Sequence, residues 1–202
     1  MSQLNLTLVG HSYVRRLRDY RRCVLNSQNE MVVDQVKVGL KYVFRGGRDY
    51  YYFNRSRRHK LQILRGNPDV ILVVLGGNAV ANRKPIPEAT QEMRVFVKWL
   101  RDMMPNVVII VAEVEPRYSW HPLLPRGYQG ESFKERRNAF NQAIRRVQTK
   151  DCTLRIANCL CKRKYYDRKG VHLSQCGNEF YWELIRNVLK YAMETWFEFS
   201  AM

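Results

Sequence analysis

Four positions with chemical capacity stand at the ends of elements: Ser12, Gly47 and Asn78 after strand-like runs, and His172 before the last helical segment. Ser12 follows Leu4-Asn5-Leu6-Thr7-Leu8-Val9-Gly10-His11, where Leu4, Leu6 and Leu8 alternate with Asn5, Thr7 and Val9 at the period of a strand. Gly10 breaks the run, and Val14, Leu17 and a train of arginines then begin a helical spacing, which puts Ser12 at a strand-to-helix turn. A serine there suits a helix N-cap as well as a nucleophile. Gly46-Gly47 closes a second strand-like stretch, Asn78 follows Val70–Leu75 and two glycines, and His172 precedes the last helical segment. Acyl transfer needs such a set: a hydroxyl to attack, a base to take its proton, and N–H donors for the developing oxyanion. Ser12 and His172 fill the first two roles. The backbone N–H groups of Ser12 and Gly47 and the side-chain amide of Asn78 are candidates for the third.

Alternating elements must position these residues. Helical spacing runs through Tyr13–Leu25, and Met31–Val33 with Gln35–Val38 reads as a second strand leading to Tyr42-Val43-Phe44. Val70–Leu75 is apolar at every position, as a central parallel strand buried on both faces would be. Pro85 and Pro87 open a helix in which Met93, Phe96, Val97, Leu100 and Met104 recur. Val107–Ala112 is a further buried strand, ending in Glu113 and Glu115, and a long loop with Trp120 and His121 follows from Arg117 to Gly130, read as a rim or lid. Ser132 suits the N-cap of a helix carrying Phe133, Arg137, Phe140, Ile144 and Val147 on one face; Cys152–Ala157 is a short fifth strand, and Phe180–Trp196 a closing amphipathic helix. This alternation, without repeat or linker, predicts one α/β domain over residues 1–202: a three-layer α/β/α sandwich around a parallel sheet of about five strands. In such sheets, sites form outside the carboxyl ends of the strands, where Ser12, Gly47 and Asn78 all fall.

Composition narrows the classes. The 202 residues include 46% hydrophobic types, which argues against wholesale disorder. No apolar run reaches the ~18 residues of a membrane span, and the start shows no signal-peptide order, so the expected setting is soluble and intracellular, cytoplasmic or nuclear. Five cysteines lack the paired spacing of a zinc site and read as reduced core thiols. No metal or organic cofactor is called for. The formal charge of +17 predicts a polyanionic partner, RNA or DNA above all. Tyr50-Tyr51-Tyr52-Phe53 followed by Arg55, Arg57, Arg58 and Lys60 interleaves rings with cations as single-strand binders do, and Lys162, Arg163 and Lys164 form a second basic run. Each also reads as the solvated face of a helix or loop, with Tyr51 or Phe53 in the core.

Taken in order, Leu8-Val9-Gly10-His11-Ser12, Gly46-Gly47-Arg48-Asp49, Leu75-Gly76-Gly77-Asn78 and Gly170-Val171-His172-Leu173-Ser174 resemble the four blocks of the SGNH (GDSL-type) hydrolase superfamily across nearly the whole chain. The opening Gly-His-Ser-Tyr-Val-Arg-Arg and closing Gly-Val-His-Leu-Ser are also similar to SGNH domains of retroelement-encoded proteins. The resemblance implies a flavodoxin-like sheet and a serine esterase acting on acyl esters. In it Ser12 attacks, His172 moves the proton, and Ser12, Gly47 and Asn78 hold the oxyanion. Three departures stand out: His11 replaces an aspartate, Ala79 follows the third-block asparagine, and Lys169 occupies the place of the triad aspartate three residues before His172. A lysine does not orient imidazole or stabilise its protonated form. Loss of that carboxylate costs ~10⁴ in kcat in serine proteases. Asp167 or a backbone carbonyl is left to take its part. Two readings therefore stand side by side: a serine esterase of reduced power, and a catalytically degenerate hydrolase fold that binds nucleic acid. Docking to an anionic membrane is a third, without an amphipathic basic helix to single it out.

Overall fold

The computed structural model describes residues 3–23, 29–118, 132–148, 154–156, 160 and 162–200. Its order is β1 (Leu4–Gly10), α1 (Ser12–Cys23), β2 (Glu30–Val33), β3 (Val36–Phe44), α2 (Tyr50–Arg55), α3 (Arg57–Leu64), β4 (Val70–Val74), α4 (Gly77–Ala81), α5 (Ile86–Met103), β5 (Val108–Ala112), α6 (Phe133–Gln148), β6 (Leu154–Ile156) and α7 (Gln175–Ser200). A 3₁₀ turn, Arg163–Tyr165, precedes α7.

The strands form one sheet in the order β2-β3-β1-β4-β5-β6. Every neighbour from β3 to β6 is parallel, and β2 alone pairs antiparallel, on the edge of β3. The five-strand parallel expectation therefore holds, with one edge strand added. The segment from Met31 to Val38 is a tight hairpin rather than one strand, because Asp34 and Gln35 adopt φ of 46° and 69° and reverse the chain in two residues. Positive φ at both central positions matches the twist of the flanking strands.

Period-two alternation sorts side chains onto the two faces. Leu6, Leu8, Leu72, Val74 and Ile110 meet Val14 and Leu17 of α1 and Tyr181, Ile185 and Leu189 of α7. Val9, Ile71, Val73, Ile109 and Val111 meet Phe53, Ile63, Phe96, Leu100 and Phe140 from α2, α3, α5 and α6. Burial of each such side chain is worth ~1.5–3 kcal/mol, so both helical layers are held by the same central strands. The chain winds from β1 outward to β3, then returns past β1 to β4, which reverses direction of progress beside β1. At such a switch point the crossovers diverge and leave a crevice at the carboxyl ends. Gly10 pairs with Phe44 on one side and Val74 on the other, so three strand ends lie level there.

Several boundaries differ from expectation for local reasons. The closing helix begins five residues early, at Gln175, because Ser174 caps it: its Oγ accepts the Gly177 N–H at 3.1 Å and its carbonyl the Asn178 N–H at 2.9 Å. Ser132 does cap α6, in a reciprocal box with Glu135 (Glu135 N–H to Ser132 Oγ 3.2 Å, Ser132 N–H to Glu135 Oε2 2.7 Å). Cys23 and Cys176 are exposed free thiols rather than core residues, since each sits on the water side of its helix. Cys152, Cys159, Cys161, Trp120 and His121 lie outside the described residues, as does most of the 117–130 loop. Among the described residues no helix is long and apolar enough to cross a membrane.

Candidate active site

The end of β1 turns into α1 with no connecting loop, and Gly10 permits it. A Cβ there would stand 2.4 Å from Val14 Cγ2 and 2.6 Å from the Val74 carbonyl oxygen. The helix does not use Ser12 as its cap. Instead, the buried His11 accepts the Tyr13 N–H at Nδ1 (3.3 Å). Burial, then the charges of Arg117 and His172, pushes the His11 pKa down to about 3, so its ring stays a neutral acceptor. This is the task an aspartate would perform at that position, and it leaves the Ser12 hydroxyl uncommitted. Ser12 Oγ lies 3.0 Å from His172 Nε2, a contact between residues 160 apart in sequence.

Asn78 is delivered by β4 in the same way. Gly76 adopts φ of 96° and would drive a Cβ to 2.4 Å from the Phe140 ring, so the chain enters α4 only with glycine there. Asn78 Nδ2 donates to the Arg48 carbonyl (3.0 Å), and Asn78 Oδ1 accepts from Arg117 Nη2 (3.2 Å). Both ends of the amide are thereby fixed, and the Nδ2 group keeps a second hydrogen to donate. Gly47 sits in the exposed turn after β3 at φ of 70°, beside Arg48. The Arg45 N–H donates to the Gly10 carbonyl (3.1 Å), holding that turn against the end of β1.

The imidazole arrives on a loop. Tyr166 and Leu173 form an antiparallel bridge, the Asp167 N–H donates to the His172 carbonyl (2.7 Å), and the Gly170 N–H to the Asp167 carbonyl (2.8 Å). This tight reversal leaves Lys169 exposed and turns Asp167 inward, with Oδ2 3.8 Å from His172 Nδ1. That distance is longer than a hydrogen bond, so in the free protein the carboxylate acts on the ring by charge alone. Three neighbours anchor the loop. Tyr13 Oη donates to the Val171 carbonyl (2.9 Å), the Tyr118 N–H to the Gly170 carbonyl (2.8 Å), and the Arg163 guanidinium to the carbonyls of Tyr166 (3.2 Å), Asp167 (2.7 Å) and Arg168 (2.8 Å).

The field around His172 is cationic. Burial, then Arg16, push its pKa down to about 4, with Arg117 and Arg15 adding to the effect against the opposing pull of Asp167. The carboxylate is itself shared, since Arg16 Nη1 lies 3.6 Å from Asp167 Oδ2. Beneath the Ser12 turn lies a cavity of about 20 Å³ lined by His11, Tyr13, Leu75, Gly77, Glu115 and Arg117, room for one water. Glu115 is buried with both carboxyl oxygens lacking a hydrogen bond of ordinary geometry, and burial pushes its pKa up to about 8. Among the described residues no group of three His, Cys, Asp or Glu is arranged to hold a metal ion.

The basic candidates fall into two separate places. Arg55, Arg57 and Arg58 are exposed on α2 and α3, in the layer of α5, whereas Lys162, Arg163 and Lys164 belong to the turn beside α7 on the other face. Arg163 is engaged by the His172 loop, and Lys60 lies with its Nζ 4.8 Å over the Trp99 ring. Of the aromatic run, Tyr50 and Phe53 are core, and Tyr51 is the exposed member, with the Arg55 guanidinium 3.7 Å from its ring centre. Sequence reasoning missed Tyr13, Arg117 and Asn141. The last is buried and holds both backbone polar groups of Val114 (2.8 and 3.1 Å), fixing the strand exit that carries Arg117. Arg117 follows a strand's carboxyl end, a position whose significance was available; Asn141 carried no signal.

Residues 12–180 match the model of the GDSL-like lipase/acylhydrolase family. Similar solved structures include the lipase/acylhydrolase of Enterococcus faecalis (13% identity, 94% of this chain and 97% of that one, TM-score 0.67) and a GDSL-like lipase of Bacteroides thetaiotaomicron (14%, 95% and 88%, TM-score 0.66). The psychrotrophic esterase EstA of a Pseudoalteromonas species is similar as well (13%, 96% and 98%, TM-score 0.63). At these identities the likeness speaks for the fold. No curated protein sequence matches the chain.

Proposed function

The chain belongs to the GDSL-like lipase/acylhydrolase family, and on that premise we propose that it is a serine ester hydrolase working through Ser12 and His172. The observation that carries the reading is the 3.0 Å approach of Ser12 Oγ to His172 Nε2 across the switch point of the sheet. With its proton on Nδ1, His172 accepts the hydroxyl proton at Nε2 as Oγ bonds to the acyl carbon. The carbonyl π pair moves onto oxygen, toward donors at the Ser12 N–H, Gly47 N–H and Asn78 Nδ2. Collapse breaks the bond to the alcohol oxygen, which takes the proton from His172. Water then attacks the acyl-serine by the same route and releases the acid. Asp167 stabilises the transient imidazolium at 3.8 Å in place of the residue that Lys169 displaces. A base pushed down to about 4 abstracts a proton with little driving force, so turnover is slow. A fluorophosphonate probe labels the protein and fails to label Ser12→Ala; a wild type that stays unlabelled at high probe concentration overturns the reading.

A second reading is favoured by Tyr51, exposed with the Arg55 guanidinium 3.7 Å from its ring centre: a face on α2 and α3 that stacks bases and neutralises phosphates. In it the hydrolase fold binds nucleic acid, with or without residual catalysis. Single-stranded RNA then binds with a steep salt slope, weakened by the triple change Arg55→Ala, Arg57→Ala, Arg58→Ala; affinity independent of salt overturns it. The narrower likeness to retroelement-encoded domains rests on the opening and closing motifs and fits this second reading.

A further inference from the structure

An imidazole serves Ser12 only while its ring stays aimed, and the usual device is a hydrogen bond to the nitrogen that faces away from the serine. Here Asp167 Oδ2 stands 3.8 Å from His172 Nδ1, beyond hydrogen-bond reach. The ring is therefore aimed through the main chain that carries it.

The peptide between Val171 and His172 is gripped at both of its polar atoms. Its carbonyl accepts the Tyr13 hydroxyl at 2.9 Å, and its N–H faces Asp167 Oδ1 at 3.5 Å, with the Val171 N–H 3.3 Å from the same oxygen. Tyr118 and Arg163 hold carbonyls further back in the loop, at residues 166, 167, 168 and 170. The contact next to the imidazole thus comes from the residue that follows the nucleophile. Tyr13 is buried, its N–H donates to His11 Nδ1 at 3.3 Å, and its ring centre lies 5.9 Å from that of His172. One residue touches both halves of the site, joined to Ser12 by a peptide bond and to the peptide before His172 by its hydroxyl. Burial pushes the Tyr13 phenol pKa up, so the hydroxyl keeps its proton and donates wherever the imidazole works as a base.

We propose that Tyr13 is a positioning residue for the ester hydrolysis assigned above: by donating to the Val171 carbonyl, its hydroxyl holds His172 Nε2 in line with Ser12 Oγ. This rests on the serine hydrolase reading and names what takes over the orienting task where Lys169 stands in place of an aspartate. Tyr13 exchanges no proton; it sets a distance. A misplacement of about 1 Å at reacting groups costs ~10² in rate, so loss of the hydroxyl falls on the chemical step and leaves substrate binding alone.

The test is kinetic, with rates taken per mole of folded protein. Tyr13→Phe keeps the ring and deletes one oxygen. With 4-nitrophenyl acetate its kcat falls ~10-fold to 100-fold at unchanged KM, and fluorophosphonate labelling of Ser12 slows in parallel. Replacing Tyr13 by 4-aminophenylalanine restores a donor and most of the rate; 4-methylphenylalanine fills the same space without a donor and does not. Tyr20→Phe is the control. It deletes another buried tyrosine hydroxyl of α1, one that donates to Glu179 Oε1 at 3.1 Å, and it leaves kcat unchanged. A Tyr13→Phe protein of wild-type kcat, a loss confined to KM, or equal rates for the amino and methyl replacements overturns the inference while leaving a working esterase. A wild type silent on the ester and unlabelled by the probe overturns the hydrolase reading itself, and this one with it.

Discussion

The two halves of the site are built by different means. Ser12 and Asn78 stand at the ends of buried strands, placed by Gly10, Gly76 and the packing of Val14 and Phe140, so their positions follow from the core. His172 and Asp167 stand on a reversal held by side-chain and backbone donors reaching to carbonyls, with guanidinium groups at its edge. The nucleophile half is thus inseparable from folding, whereas the base half is tuned by charge with little consequence for the core. Changes to the first should move stability and activity together, and changes to the second should move activity alone.

The sharpest test of the second half is His172→Ala, which lowers kcat for ester hydrolysis by at least ~10³ while thermal unfolding stays within a few degrees of wild type. Gly76→Ala tests the first half: the strained φ and the clash with Phe140 cost about 3 kcal/mol in urea unfolding, and activity falls with the folded fraction. Glu115, at the exit of β5, separates the halves by pH. Its carboxyl is raised from its ordinary value to about 8 on folding, so its contribution is fully present below about pH 4.5 and is lost as pH rises through 8. Glu115→Gln therefore gains on wild type with rising pH, by about 2 kcal/mol at pH 8 after the cost of burying an amide, and flattens the pH profile of unfolding. Asp167→Asn returns to the loop and lowers kcat about tenfold to thirtyfold at unchanged stability, less than loss of a hydrogen-bonded triad carboxylate would, because 3.8 Å leaves only the charge. The smallest effect is at Arg16. Catalysis needs neutral imidazole, so kcat/KM is flat from pH 8 down to about 5 and falls on an acid limb near 4; Arg16→Gln moves that limb upward by less than ~1 pH unit.

The same division decides what the sequence revealed. Strand-end residues announce themselves, since an apolar run closing in Gly-x-Ser or Gly-Gly-Asn states both the element and the side chain it presents. The sheet, its two covered faces and the level placement of Ser12 and Asn78 were legible for that reason. The loop half was not. Asp167 was one of two choices beside Lys169, and only the bridge between Tyr166 and Leu173, set by pairing rather than by composition, turns its carboxylate inward. The Asp34–Gln35 reversal hid for a similar reason, lacking the glycine that usually advertises a two-residue turn. Charge misled differently: a count of cations does not say that Arg163 is occupied with carbonyls or that Arg16 leans on Asp167.

The anchors of the His172 loop end on main-chain oxygens: those of Tyr166, Asp167, Arg168, Gly170 and Val171. Every amino acid brings the same oxygen, whatever its side chain. Such a mount is indifferent to spelling, and a family built on it is free to drift at positions like 168, 169 and 171 while the imidazole keeps its address. The lysine that breaks the familiar motif is then a change of text in a place where the grammar is carried by the backbone.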